Sequence, residues 1–168
     1  FKLLINWYLK SMNKFHLILS ILIVTFFPSI TFGNVIEKLN EAGKFNKLNE
    51  TLAKSGLNEN LKGAGPFTVF APLDDAFAAI SAKTYYGLLR DENKDKLVNI
   101  LGRHVFSKKI TSSEIDSEVK LKAINGEEIT IKKVNGIVYI NEAEVVTADV
   151  EVSNGIIHYI NRVLQPLK

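Results

Sequence analysis

Apolar residues recur at helical spacing in the part of the chain that follows residue 34. Between residues 35 and 52 they stand three or four positions apart in two runs, which end at Gly43 and Gly56. This spacing predicts two short amphipathic helices, each closed by a glycine in the left-handed conformation. Similar patterns predict three further helices, over residues 75–81, 85–89 and 93–101.

The period changes from helical to twofold beyond residue 104. Apolar and polar side chains alternate over residues 119–124, 128–133 and 137–141. Antiparallel strands with one buried face show this alternation. Asn125-Gly126 and Asn135-Gly136 separate the three segments, where two-residue hairpin turns are expected. Helices first and antiparallel strands afterwards predict an α+β fold in one domain.

A strand that ends at a fixed turn is predicted within residues 65–77. Residues 67–70 are β-branched or aromatic, which favours a strand, and Pro72 cannot continue a hydrogen-bonded ladder. Asp74 or Asp75 is then placed to cap the helix that follows.

A second stretch of this kind lies near the C-terminus, over residues 153–164. Asn154-Gly155 is predicted to form a corner with positive φ in front of a buried strand. Together the two stretches closely resemble the two signature motifs of the fasciclin domain, an extracellular or periplasmic adhesion and interaction module. The resemblance covers roughly residues 34–168. It continues through two segments between the motifs, residues 97–106 and 145–150.

The resemblance implies an α+β fold with a wedge-shaped antiparallel sheet or sandwich of about seven strands, flanked by N-terminal helices. It also implies that the motif residues build the frame of the domain rather than a binding site. These residues are Thr68, Phe70, Ala71, Pro72, Asp75, Phe77, His104, Asn154, Gly155 and His158.

Arg103, His104 and Val105 are the candidate partner-binding residues. In animal fasciclin domains a Tyr-His pair at this place, followed by branched apolar residues, is associated with integrin-mediated adhesion, and this chain has Arg103 instead of tyrosine. His104 stands between a predicted helix and a predicted strand. We therefore expect its ring to link the two by a hydrogen bond to the backbone or to a carboxylate. Arg103 is expected to be exposed and to contribute only surface pairing.

The N-terminal region has the pattern of a secretory signal peptide. Met12 is followed by a positive charge at Lys14, an apolar run over residues 17–27 and small residues up to a predicted cleavage site after Gly33. A retained membrane anchor is the alternative, although the run is shorter than the ~20 residues of a span. The predicted organisation is upstream translated sequence over residues 1–11, a signal peptide over 12–33 and a fasciclin-like domain over 34–168.

The net positive charge of the chain comes from the residues that precede the predicted fasciclin-like domain. Three of the 21 basic residues and none of the 18 acidic residues precede residue 34, so the remainder is formally neutral. A nucleic-acid partner is therefore not expected, despite the net charge of +3. The chain has no cysteine, which excludes cysteine nucleophiles, thiolate zinc sites and iron–sulfur clusters.

Catalytic and metal-binding motifs are also missing from the sequence. There is no Gly-x-Ser-x-Gly or His-Glu-x-x-His segment. His104 and His158 each stand among apolar residues, with no ligating residue two to four positions downstream. The glycines at positions 63 and 65 lead into a strand rather than a helix, so no phosphate site is predicted. We expect neither a metal nor a cofactor.

These observations predict a non-catalytic interaction module that is secreted or periplasmic, with a bacterial source favoured. Its expected role is cell adhesion, or binding to surface or matrix proteins or polysaccharides. Some fasciclin-like proteins are reported to hold pigments between their helices and sheet, so a carrier of a small apolar ligand, lipid or pigment, is the alternative. A hydrolase is a distant third. No membrane span is expected once the signal peptide has been removed.

Overall fold

The computed structural model describes residues 32–165, so the predicted upstream sequence and nearly all of the predicted signal peptide lie outside it. Within these residues no helix is long and apolar enough to cross a membrane. The α-helices are α1 (Val35–Glu41), α2 (Asn46–Ser55), α3 (Leu57–Leu61), α4 (Ala82–Leu88) and α5 (Lys94–Gly102). Short 3₁₀ helices cover Asp74–Ala79, Asp91–Asn93 and Ser112–Glu114. The strands are β1 (Phe67–Pro72), β2 (Val105–Phe106), β3 (Val119–Lys122), β4 (Glu128–Val134), β5 (Ile137–Ile140), β6 (Ala143–Val152) and β7 (Gly155–Ile160).

Local capping sets the ends of the first two helices. The Asn34 side chain accepts a hydrogen bond from the backbone nitrogen of Glu37 at 3.1 Å, and the Glu37 carboxylate accepts one from the backbone nitrogen of Asn34 at 3.0 Å. This capping box starts α1. Gly43 and Gly56 have φ angles of +63° and +82°. The predicted left-handed closures of α1 and α2 are therefore confirmed.

Asp74 caps a different helix from the one predicted. The 3₁₀ helix Asp74–Ala79 has no side-chain cap. The Asp74 carboxylate instead accepts hydrogen bonds of 2.8 Å from the backbone nitrogen of Lys47 and from Asn46 Nδ2, both in the first turn of α2. Asp74 therefore stabilises the start of α2, where a carboxylate also interacts favourably with the helix dipole. Asp75 is exposed.

We expect Asp74→Ala to lower the free energy of unfolding by about 0.5–2 kcal/mol, because it removes the cap of α2. Asp75→Ala is the matched control, and as an exposed substitution it should stay within about 0.5 kcal/mol of the parent. Urea denaturation of both variants at one pH measures the difference. Equal losses in the two variants would contradict this assignment of the cap.

All seven strands form one sheet in the order β2-β1-β7-β6-β5-β4-β3, so the predicted α+β fold with about seven strands is confirmed. Neighbouring strands are antiparallel as predicted, except β1 and β7, which run parallel from the Phe67–Gly155 pair to the Pro72–Ile160 pair. Both strands are mostly apolar, and both are buried along nearly their whole length. Burial on both faces is the usual environment of a parallel pair.

The β1–β7 pair separates two hydrophobic clusters. Val69, Ala71 and Ile157 belong to the cluster that includes the apolar faces of the helices, which we call the helix-side cluster. Phe70 and Ile160 belong to the cluster that includes the inner faces of β3, β4 and β5, the sheet-side cluster. Successive side chains of a strand point to opposite faces. The same two strands therefore supply both clusters.

The three Asn-Gly pairs adopt three different conformations. At Asn135-Gly136 both residues have positive φ, +52° and +83°, and the predicted two-residue turn between β4 and β5 is confirmed. At Asn125-Gly126 only the glycine has positive φ, +86°. At Asn154-Gly155 neither residue has positive φ, so the predicted corner is wrong.

Close packing explains the sequence at the start of β7. A Cβ atom on Gly155 would lie 2.0 Å from the carbonyl oxygen of Phe67, so glycine permits the close approach of β1 and β7. Asn154 is buried. Its Oδ1 accepts a hydrogen bond from the backbone nitrogen of Val35 at 3.0 Å, and its Nδ2 donates to the Leu61 carbonyl at 2.7 Å. Asn154 thus joins the sheet to α1 and α3.

Candidate functional site

His104 lies between α5 and β2, and only 2% of its surface is exposed. Its Nδ1 is 2.9 Å from the carbonyl oxygen of Ile100, and its Nε2 is 2.9 Å from the backbone nitrogen of Leu164. Because the Leu164 N–H can only donate, Nε2 accepts, and the neutral ring carries its proton on Nδ1. The ring therefore links α5 to the segment that follows β7.

Burial lowers the pKa of His104 from its usual 6.5 to about 4. The positive charge of the neighbouring Arg103 also lowers this pKa, whereas the hydrogen bond to Ile100 acts in the opposite direction. His104 is consequently neutral at neutral pH, which is the state that its hydrogen bond with Leu164 requires.

Arg103 is buried, so the expectation of an exposed arginine is wrong. Only 6% of the residue is exposed, and its guanidinium donates a 2.7 Å hydrogen bond to the Glu127 carboxylate. Its Nε is buried and has no hydrogen-bond partner among the described residues. The charge of this buried side chain is paired by Glu127, which lies between β3 and β4.

Val105 completes the candidate partner-binding group and is also buried, with 2% exposed. It lies in β2 opposite Val69 of β1. The structure therefore brings Arg103, His104 and Val105 together beneath the surface. Little of their surface is exposed in the folded domain.

The motif residues of β1 and β7 hold the segment that follows β2. Thr68 is fully buried; its hydroxyl donates to the Lys108 carbonyl at 2.6 Å and accepts from the backbone nitrogen of Ile110 at 2.9 Å. His158 Nε2 lies 2.8 Å from the Ile110 carbonyl. The ring of Phe70 stacks on that of His158, with 4.9 Å between their centroids. The three hydrogen bonds connect β1 and β7 to one loop, and the ring stacking joins the two strands to each other.

A serine, an aspartate and a histidine meet beside this loop without forming a catalytic triad. The Asp149 carboxylate accepts hydrogen bonds from the backbone nitrogen and the hydroxyl of Ser112. His158 Nδ1 accepts a 3.2 Å hydrogen bond from the backbone nitrogen of Asp149. In a triad the histidine would instead accept the serine proton and donate to the carboxylate. Residues 32–165 also contain no group of three His, Asp or Glu that could hold a metal ion.

The remaining motif residues differ in their surroundings. Ala71 and Phe77 are buried in the helix-side cluster, and Asp75 is exposed. Pro72 ends β1 and, together with Phe77, lines the cavity described next.

An apolar cavity of about 240 Å³ lies between α4, α5 and the segment after β7. The alternative of a small apolar ligand between helices and sheet came with no lining residues; Pro72, Phe77 and His104, which line this cavity, were expected to build the frame of the domain. The helical spacing of apolar residues on α4 and α5 was the available signal, and only the packing shows that these faces meet. The apolar wall includes Phe77, Tyr85, Leu88, Leu97, Ile100 and Val163.

Three exposed apolar side chains lie on the neighbouring strands β4, β5 and β6. Val134, Ile137 and Val146 are 44%, 40% and 47% exposed. Val134 pairs with Ile137 across the β4–β5 hairpin, and Val146 lies on β6, which neighbours β5 in the sheet. We call these three residues the apolar patch. Contiguous exposed apolar residues, unlike scattered ones, mark interaction surfaces.

Known proteins are similar to this chain in sequence. The family model of the fasciclin domain matches residues 43–166. Protein sll1483 of Synechocystis sp. is 47% identical over 122 residues, which cover 73% of this chain and 67% of that protein. Transforming growth factor-beta-induced protein ig-h3 of Sus scrofa is 35% identical over 80% of this chain and 19% of its own length. Periostin of Homo sapiens is 30% identical over 77% of this chain and 16% of its own length. The chain thus spans less than a fifth of either animal protein.

A solved structure shows the same fold. The FAS1 domain pair of the insect cell adhesion molecule fasciclin I matches with a TM-score of 0.71 and 22% sequence identity, covering 82% of this chain and 52% of that one. The family model covers well over half of the chain and includes both signature motifs. The chain therefore belongs to the fasciclin domain family.

Proposed function

We propose that this chain is a non-catalytic interaction module, secreted or periplasmic, that acts in adhesion or in binding to surface or matrix molecules. The apolar patch carries the proposal, because it offers a partner exposed apolar side chains on neighbouring strands of one sheet. Membership of a family whose domains occur in an insect cell adhesion molecule supports it. The structural hydrogen bonds of Ser112, Asp149 and His158 support a role without catalysis.

Within this proposal Arg103, His104 and Val105 act on the fold rather than on the partner. Their burial supports this role. The recognition surface lies instead on β4, β5 and β6.

The double substitution Val134→Thr with Ile137→Thr tests the apolar patch. Threonine keeps a β-branched shape that suits a strand but removes apolar contact area. We expect retention on intact cells and on isolated envelope polysaccharide to fall more than about tenfold, the effect of losing one interface hot spot, while the melting temperature changes little. Retention is measured by co-sedimentation.

Ile124→Thr is the matched control, since Ile124 is 41% exposed but lies outside the apolar patch. It should bind like the parent. Unchanged retention of the double variant, or an equal loss in Ile124→Thr, would contradict the proposal.

A second candidate function, carriage of a small apolar ligand, is favoured by the cavity between α4 and α5. Its volume of about 240 Å³ exceeds the ~150 Å³ of an apolar cavity known to hold benzene, and falls below the ~300–1,000 Å³ of drug-sized sites. A small ligand, or one end of a longer one, would fit it.

A further inference from the structure

Three polar side chains in the cavity wall are already engaged within the protein. The Thr51 hydroxyl donates to the Leu48 carbonyl at 2.8 Å, and the Tyr85 hydroxyl donates to the Glu50 carboxylate at 2.6 Å. His104 uses both ring nitrogens in backbone hydrogen bonds. These three side chains therefore have no free N–H or O–H group to donate to a ligand.

Lys96 brings a charge to this cavity. It lies on α5, it is exposed, and among the described residues it is the one charged side chain in the lining. It also lines a neighbouring recess with Asp95, yet none of the ion pairs within residues 32–165 includes it. A lysine stem lies along apolar surface while its ammonium group stays in water. An unpaired positive charge therefore stands at the mouth of an apolar cavity.

We propose that the cavity binds a single-chain apolar molecule that ends in a carboxylate, with the chain inside the cavity and the carboxylate paired with Lys96. This assignment rests on the carrier candidate and adds the class of ligand. The volume suits a chain rather than a large fused-ring pigment. The complementary charge at the mouth orients the chain, because a carboxylate at that end keeps contact with both water and the ammonium group.

Titration of the full chain with decanoate and with decan-1-ol, followed by calorimetry, tests the proposal. The two probes have the same chain, and only decanoate is charged at pH 7. In Lys96→Gln we expect decanoate to bind about fivefold more weakly, as for loss of a strong surface ion pair, and decanol to bind as in the parent. Lys94→Gln, on the same helix but outside the cavity lining, should change neither affinity. From hexanoate to decanoate, each added methylene should tighten binding about fourfold.

Ile100→Trp is designed to fill the cavity and should abolish binding of both probes; Leu88→Phe serves the same purpose if Ile100→Trp does not fold. Failure of both probes to bind the parent, or binding that survives in the filled cavity, would overturn the proposal and the carrier candidate together. A third outcome is that both probes bind the parent, the filled cavity abolishes binding, and Lys96→Gln leaves both affinities unchanged. This outcome would overturn the carboxylate assignment and support an uncharged ligand.

Discussion

Gly155→Ala should unfold the domain or lower its free energy of unfolding by more than about 4 kcal/mol, which is exceptional for a single substitution. The added Cβ would lie 2.0 Å from the carbonyl oxygen of Phe67 and 2.8 Å from its carbonyl carbon and nitrogen. These are backbone atoms of β1, so the clash is relieved only by separating β1 from β7. That pair supplies side chains to both hydrophobic clusters, and its separation would disturb both.

Gly87→Ala is the matched control for this substitution. Gly87 lies inside α4, its φ is not positive, and nothing lies within 4 Å of an added Cβ. Alanine there should stabilise the protein by about 0.5–1 kcal/mol, because glycine is unfavourable inside a helix. Thermal and urea unfolding followed by circular dichroism compares the two variants. A Gly155→Ala protein that unfolds like the parent would show that β1 and β7 are not packed as described.

The second large effect that we expect is a decrease in the free energy of unfolding at acidic pH, caused by His104. Burial holds the pKa of His104 in the folded protein at about 4, below its usual value of 6.5. The stabilising contribution of the neutral ring is therefore complete above pH 6.5 and is lost as the pH falls through 6.5 towards 4. Over this window the loss amounts to about 3 kcal/mol. Protonation of Nε2 would also place two donors face to face at Leu164.

His104→Gln isolates this contribution, because glutamine keeps an amide donor and acceptor but does not titrate. Between pH 7 and pH 4 the variant should lose about 3 kcal/mol less stability than the parent, whatever its stability at pH 7. Urea denaturation at a series of pH values measures both curves. His158→Gln is the control, since burial also lowers the pKa of His158 but its replacement leaves His104 in place. Parallel curves for the parent and His104→Gln would contradict the assignment.

Structural features that depend only on residues close together in the sequence were predictable from the sequence alone. The helical and twofold periods located most helices and strands, because each element buries one face. Gly43, Gly56 and the Asn135-Gly136 turn were predicted correctly, because positive φ is a local preference of glycine and asparagine. The two signature motifs were sufficient to indicate the family and the α+β fold.

Tertiary structure alone decided how these elements meet. Asp74 caps α2 by accepting a hydrogen bond from a backbone nitrogen 27 residues earlier in the chain. His104 accepts a hydrogen bond from a backbone nitrogen 60 residues later. The parallel β1–β7 pair, the burial of Arg103, the cavity beside Lys96 and the apolar patch likewise arise from residues distant in the chain. Periodicity predicts which face of a helix or strand is apolar. Which element packs against that face depends on the packing of the whole domain.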